Sequence, residues 1–145
     1  MQATAHFAEY LAARGLKMTR ERRAILDKVL TLRGHFGVEE LLAILSRAGL
    51  EISRATLYRT LPRLVEAGIL HRIEMQSGEA RYEPIYGRQH HDHMVCLGCG
   101  RIIEFESPEI ERLQVRICRA RRFRMTGHTH QIRGYCGSCA SRRRR

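Results

Sequence analysis

Four of the five cysteines form two Cys-x-x-Cys pairs, a pattern typical of a metal site. The pairs are Cys96/Cys99 and Cys136/Cys139. Each pair forms a tight turn that directs two sulfurs to one point, and four thiolates around one Zn²⁺ leave no open position for catalysis. A redox-active dithiol is the alternative interpretation. The spacing predicts a structural zinc site, and Cys118, alone in a predicted helix, receives no role.

A second group of ligand-type residues is the run His90-His91-Asp92-His93. Alternate residues of a strand share a face, so His91 and His93 point to one side and His90 and Asp92 to the other. This segment could therefore supply ligands to two metal ions. Imidazole and carboxylate ligands suit Fe²⁺, Mn²⁺, Zn²⁺ or Co²⁺, whereas a solvated polar strand is the alternative. Further candidate ligands are His35, Glu83, Glu104, Glu111, His128 and His130.

A third group lies on a helix predicted from Ser53 to Ala67. Arginine and threonine can contact phosphates or guanine edges, and tyrosine can contact a thymine methyl group. A solvated basic face is the alternative, but a hairpin follows this helix and favours DNA recognition. Pro62 lacks a backbone donor and should bend the helix. The outward side carries Arg54, Thr56, Tyr58, Arg59 and Arg63, and further basic residues upstream are Lys17, Arg20, Arg22 and Arg23.

The elements that position these groups predict an α+β protein with two domains. Helical spacing of apolar residues, with Thr19 and Ser53 as N-caps and Gly68 as a stop, predicts four helices. The period then changes to two on either side of Gln76–Glu79, which predicts a hairpin. Helices followed by a hairpin indicate a winged helix-turn-helix domain at 1–85.

A small α/β domain is predicted at 90–140, after a hinge at 86–89. Strands are expected at 90–96, 101–105 and 125–135, and Ser107-Pro108 begins a helix. The apolar face of that helix, expected to form the core, carries Ile110, Leu113, Ile117 and Ala120. The basic tail at 141–145 is expected to be disordered and to add non-specific DNA affinity.

Charge favours an anionic partner. The 145 residues include 26 basic and 15 acidic side chains, a net charge of +11. Residues 1–85 hold 13 basic and 10 acidic side chains, whereas residues 86–145 hold 13 and 5. Such an excess favours nucleic acid. Neither a secretory signal nor a stretch long enough to span a bilayer is found, so we expect a cytoplasmic protein without a membrane partner.

Enzymatic motifs are not found. The sequence contains no His-Glu-x-x-His, Gly-x-Ser-x-Gly or phosphate-loop motif. It also lacks the His-x-Glu and Pro-Cys-x-x-Cys combination of zinc deaminases. We therefore expect a protein that is not an enzyme and takes no small organic substrate.

Taken together, these motifs resemble the ferric uptake regulator (Fur) family of metal-sensing bacterial repressors. The matching stretches are residues 15–19, 55–61, 66–69, 90–100 and 102–105. The resemblance implies an N-terminal winged-helix domain that reads a double-stranded DNA operator and a C-terminal domain that forms a homodimer. It also implies repression of metal-uptake genes when metal is plentiful.

The resemblance further implies the role of individual residues. Structural zinc would be held by Cys96, Cys99, Cys136 and Cys139. The regulatory site that bridges the domains would comprise His35, Glu83, His91, His93 and Glu104. An additional site would comprise His90, Asp92, Glu111 and His128. Contacts to DNA are expected from Lys17, Arg22, Arg54, Thr56, Tyr58 and Arg59.

The regulatory ion is predicted to be Fe²⁺, although Mn²⁺ or Zn²⁺ would also fit the ligands. Zinc-sensing relatives usually place a cysteine in the regulatory site, and peroxide-sensing relatives usually carry aspartate where this chain has Glu104. Zinc-, manganese- and peroxide-sensing functions remain alternatives within the family. A metal-buffering protein and a zinc-ribbon RNA-binding module are more distant alternatives, and the wing and the small number of aromatic residues disfavour them.

Overall fold

The computed structural model describes residues 2–143. The chain divides into two compact units at Gln89/His90. The first unit contains α1 (Gln2–Ala12), α2 (Arg20–Thr31), α3 (Val38–Arg47), α4 (Arg54–Glu66), β1 (Leu70–Glu74) and β2 (Ala80–Pro84). The second contains β3 (Asp92–Cys96), β4 (Ile102–Phe105), α5 (Pro108–Ala120), β5 (Gln131–Gly134) and α6 (Gly137–Arg143). No helix in the described part of the chain is long and apolar enough to cross a membrane.

Local signals fix the ends of the helices in the first unit. The Thr19 hydroxyl accepts a hydrogen bond from the Arg22 amide at 3.3 Å and begins α2. Ser53 accepts from the Thr56 amide at 3.1 Å and begins α4. Gly68 ends α4 with φ of +68°, a conformation that favours glycine. These caps are the ones that the sequence predicts.

The helices of the first unit enclose one apolar core. Each helix buries residues at spacings of three and four, as an amphipathic helix requires. The largest fully buried side chains here include Phe7, Leu11, Ile25, Leu26, Leu41, Leu45, Leu57, Leu61 and Leu64. The core therefore fixes the side of α4 that faces inward and leaves its polar side exposed.

The hairpin of the first unit forms the wing. β1 and β2 pair antiparallel from Leu70↔Pro84 to Glu74↔Ala80. Phe36, just before α3, adds a bridge to Tyr82. The winged helix-turn-helix prediction is confirmed. Residues 86–89, predicted as a hinge, fall in the first unit, where the Arg88 guanidinium donates to the Leu32 carbonyl at 2.8 Å.

The second unit is built on a three-stranded sheet in the order β4-β3-β5. β3 pairs antiparallel with β4 and parallel with β5. Ser107 accepts a hydrogen bond from the Ile110 amide at 3.4 Å and begins α5, with Pro108 in its first turn. This α/β unit agrees with the predicted fold class.

Two predictions about secondary structure in the second unit are wrong. The strand expected at 125–135 covers only Gln131–Gly134, the four residues that pair with His93–Cys96 of β3. The basic tail expected at 141–145 begins inside α6, which extends to Arg143. Residues 144 and 145 lie outside the described residues.

The predicted core face of α5 is also wrong. No residue of α5 is buried, and Leu113 and Ile117 are 44% and 53% exposed. Ile110 of the predicted face is half-buried. The other half-buried positions include Gln114, Val115 and Cys118, which lie on another side of the helix. Helical periodicity identifies the apolar face of α5 but does not show whether the same chain covers it.

Candidate metal centres and nucleic-acid interface

The four cysteines of the two pairs meet in the second unit. Cys96 ends β3, Cys99 follows in the next turn, Cys136 follows β5 and Cys139 lies on α6. Their sulfurs all lie within 4.8 Å of one another. Tetrahedral Zn–S bonds of about 2.3 Å place sulfurs roughly 3.8 Å apart, and the Cys99 and Cys136 sulfurs are separated by 3.8 Å. The cluster therefore has the dimensions of a four-thiolate zinc site.

The electrostatics of the cluster also suit a divalent cation. The Cys136 amide donates to the Cys96 sulfur at 3.2 Å. This amide and those of Cys99 and Gly98 lower the pKa of Cys96 to about 6. Conversely, the hydrogen bond between the Cys139 and Cys136 thiols, together with burial, raises the pKa of Cys139 to about 12. A Zn²⁺ ion would favour the thiolate form of Cys139, because a metal deprotonates the thiols that coordinate it, so the residues fit a bound Zn²⁺.

A second cluster of the second unit combines two histidines and two carboxylates. His90 Nε2 lies 3.4 Å from an Asp92 oxygen and 3.5 Å from a Glu111 oxygen. His128 Nε2 lies 3.6 Å and 3.2 Å from the same two oxygens. The His128 Nε2 atom is buried and makes no hydrogen bond within the described residues. A buried imidazole nitrogen that faces carboxylates without bonding to them is suited to a metal ligand.

His130 also lies close to this cluster. Its Nδ1 is 3.5 Å from the second Asp92 oxygen, and Asp92 is 3% exposed. The resemblance did not assign His130 to this site. The signal was the alternation of His128 and His130 along an extended segment, which places imidazoles at every second residue.

The residues predicted for the regulatory site are divided between the two units. Within the first unit, His35 Nε2 lies 3.5 Å from a carboxylate oxygen of the buried Glu83 on β2. Within the second unit, His91 Nε2 lies 3.9 Å from a Glu104 oxygen. The His91 and His93 rings are 4.9 Å apart. Each unit therefore contains a preformed group of imidazole and carboxylate ligands.

The polar side of α4 carries the predicted DNA contacts. Tyr58 is 56% exposed, and Arg59 is also exposed. Arg54 pairs with Glu39 of α3 at 2.9 Å. The Thr56 hydroxyl lies 2.9 Å from that of Ser53, within the N-cap of the helix. Tyr58 and Arg59 are therefore exposed members of this set without an ion pair or a side-chain hydrogen bond within the described residues.

Other predicted contacts have local partners. The Arg22 guanidinium donates to the carbonyl of Lys17, so the first turn of α2 is joined to the segment before it. Pro62 lies within α4, which continues through it to Glu66. Arg63, whose direction depends on this continuation, pairs with Glu66 at 3.3 Å.

Comparisons with known proteins extend across both units. The sequence model of the Ferric uptake regulator family matches residues 13–133. The ferric uptake regulation protein of Campylobacter jejuni is 40% identical over 135 residues, which cover 92% of this chain and 85% of that protein.

Solved structures give the same result. The ferric uptake regulator from Pseudomonas aeruginosa, determined with manganese, has a TM-score of 0.76 at 33% identity and covers 88% of this chain and 95% of its own. The Helicobacter pylori ferric uptake regulator, described as having three functional metal-binding sites, has a TM-score of 0.75 at 26% identity and covers 96% and 92%. The chain belongs to the ferric uptake regulator family, whose members are metal-responsive regulators that bind DNA and are not enzymes.

Proposed function

We propose that this protein is an iron-dependent repressor of metal-uptake genes that binds its operator as a metal-loaded homodimer. The observation that carries the proposal is the presence, in each unit, of imidazole and carboxylate ligands grouped within a few ångströms. His35 and Glu83 form the group in the first unit, and His91, His93 and Glu104 form the group in the second. A metal-buffering protein would need neither the wing nor the exposed side of α4.

The four-cysteine cluster is proposed to hold structural zinc. Its sulfur spacing supports four thiolate ligands, and this arrangement leaves no open position for a fifth ligand. The zinc would join β3, the end of β5 and α6. Its role is to stabilise the small second unit rather than to respond to the metal supply.

Iron is proposed as the regulatory ion because the ligands contain nitrogen and oxygen only. A softer ion would favour thiolates, and the cysteines of the pairs are committed to their own cluster. The name of the Campylobacter jejuni relative refers to ferric uptake. The Pseudomonas aeruginosa structure contains manganese, so manganese remains the second candidate.

An exposed apolar surface of the second unit supports a homodimer. Met94, Ile103 and Ile132 are exposed large hydrophobic residues, and the sheet register places Met94 directly beside each of the other two. Leu113 and Ile117 add exposed apolar area on α5. Apolar patches of this kind mark association surfaces in soluble proteins. A second copy would cover residues that the single chain leaves in water.

In the proposed mechanism the ligands of both units would hold one ion, which would supply the positive charge that keeps their carboxylates and imidazoles together. His35 and Glu83 would contribute from the first unit, and His91, His93 and Glu104 from the second. Metal binding would then select the arrangement of the two units that satisfies all these ligands. In a dimer this arrangement would fix the separation of the two α4 helices, and operator half-sites lie about 34 Å apart or a multiple of it.

The proposal is tested by DNA binding titrated against each ion under anaerobic conditions. Wild-type protein should bind an operator fragment tightly with Fe²⁺ and weakly without it. Glu104→Gln removes the charge of an exposed ligand and should shift the Fe²⁺ midpoint at least tenfold. Glu109→Gln, an equally conservative change on α5, should leave the midpoint unchanged. Equal operator affinity with and without Fe²⁺, or an unchanged midpoint for Glu104→Gln, would refute the proposal.

A further inference from the structure

The second unit carries a dense group of arginines on α5 and the turn that follows it. All of them are exposed. None of their guanidinium groups makes an ion pair or a hydrogen bond with any of residues 2–143. The group, called here the α5 arginine patch, comprises Arg112, Arg116, Arg119, Arg121, Arg122 and Arg124.

The arginines of the first unit differ from this patch in how they are paired. Many of its arginines have a carboxylate partner, which reduces the attraction they exert on an external anion. The pairs are Arg14–Glu66, Arg23–Asp27, Arg54–Glu39, Arg63–Glu66, Arg72–Glu74 and Arg81–Glu40. Much of the uncompensated positive charge of the described chain therefore lies in the second unit, away from α4 in sequence.

The patch is organised along one side of α5. Arg112, Arg116 and Arg119 follow one another at spacings of four and three residues, so they share a face. Leu113 and Ile117 lie on the adjacent side of α5. From the first to the last arginine the helix rises about 10 Å, a length over which one DNA strand carries about three phosphates.

Arg122 has an unusual backbone conformation. Its φ of +52° is the only positive value for a non-glycine residue in the described part of the chain. The Arg122 amide donates to the Arg119 carbonyl at 3.0 Å, and the Phe123 amide to the Cys118 carbonyl at 2.8 Å. This is the Schellman motif, in which glycine is the usual residue. A strained arginine where glycine would fit better points to a use for its charge.

We propose that the α5 arginine patch is a second DNA-binding surface, which holds the phosphate backbone without reading sequence. Arginine guanidinium groups pair with phosphate oxygens in bidentate geometry. DNA is the polyanion that members of this family bind. The patch contains none of the proposed regulatory ligands, although Arg112 lines the cavity that also contains His90, Asp92, Glu111 and His128.

The patch is tested with full-length, zinc-loaded protein and a non-operator duplex, without added iron. The variant Arg112→Gln/Arg116→Gln/Arg119→Gln removes three charges from the patch. Each phosphate contact contributes about 0.9 to the slope of log K against log salt concentration. We expect the slope to become shallower by about 2 to 3. Iron-dependent operator binding is measured separately, so failure of the patch and failure of the iron response are distinguishable.

The matched control removes three positive charges elsewhere, as Arg33→Gln/Arg47→Gln/Arg101→Gln. An equal loss of slope in this control would show that net charge alone is responsible and would overturn the proposal. An unchanged slope in the patch variant would also overturn it. The proposal would also be overturned if the patch variant lost binding to vesicles of anionic phospholipid while its DNA slope stayed unchanged, because the partner would then be a membrane surface.

The variant Arg122→Gly separates the effect of the lost charge on DNA binding from any effect on folding. Glycine relieves the positive-φ strain, so the melting temperature of the zinc-loaded protein should rise by a few degrees. The same variant should lose about 0.9 from the salt slope because one phosphate contact is removed. A variant that is more stable and yet binds non-operator DNA less well cannot be explained by misfolding. A higher melting temperature with an unchanged slope would exclude Arg122 from the surface.

Discussion

Gly98 is the position where a single methyl group should test the zinc site. A Cβ atom at Gly98 would lie 2.9 Å from both the Cβ and the Sγ of Cys139, and 3.5 Å from Cδ1 of Tyr135. Two of these separations are shorter than side-chain atoms tolerate, so the turn between Cys96 and Cys99 must shift. Gly98 has no positive φ. The effect of Gly98→Ala is therefore steric rather than conformational.

The size of the effect follows from the cost of overpacking, which is about 1 to 3 kcal/mol. Metal binding and folding of a small zinc unit share one free energy, so the cost should appear in the zinc affinity. Since about 1.4 kcal/mol corresponds to a tenfold change, we expect Gly98→Ala to weaken zinc binding by roughly 5- to 150-fold.

The assay is competition for Zn²⁺ between the protein and a chromophoric chelator at pH 7, with zinc content measured after dialysis. Gly137→Ala is the matched control because it also lies beside two of the cysteines. A Cβ atom there meets nothing within 4 Å, and its φ is not positive. If both variants bind zinc as tightly as the wild type, the steric argument and the proposed packing of the two cysteine turns are wrong.

Two further perturbations test the surface of the second unit and the packing of α4. Ile117→Glu places a charge in the exposed apolar face of α5 and should convert a dimer to a monomer in light scattering, with unchanged circular dichroism. Tyr10→Phe removes the hydroxyl that donates to Glu66, which is the main cause of the lowered pKa of Glu66. A carboxyl group whose pKa is lowered on folding stabilises the folded state at pH values above its unfolded-state pKa. The loss of stability caused by Tyr10→Phe should therefore be present at pH 7. It should disappear as the pH falls through the pKa of Glu66 in thermal unfolding.

Local chemistry explains why many of the helices could be predicted from the sequence. Thr19, Ser53 and Ser107 each begin a helix through a bond that spans only three residues. Such signals require no knowledge of the rest of the fold. The two cysteine pairs are similar, because short turns restrict where their sulfurs can point.

The errors concern properties that depend on distant partners. Leu113 and Ile117 have the spacing of a buried stripe, but burial needs a surface to cover them, and residues 2–143 of a single chain leave both side chains exposed. The length of β5 depends on its pairing with β3, although Gly127 in the segment before it is a residue that strands disfavour. The short distance between His130 and Asp92 also depends on a distant partner. The position of His130 is set by the path that the segment before β5 takes along β3.

The distribution of ion pairs in the first unit bears on how the protein would bind DNA. Arg54 would have to exchange Glu39 for a phosphate or a base. Both partners of this pair are more than half exposed, and exposed pairs are worth about 0 to 1 kcal/mol. The exchange therefore opposes binding only weakly, but it also yields little net attraction, since a carboxylate is released as a phosphate is taken up. Long-range attraction of the polyanion must then come from cations without a carboxylate partner, and in the described chain those of α5 form the largest sequence cluster. Operator selection by α4 and general attraction by α5 would in this way be separate properties of the two units, each removable without the other.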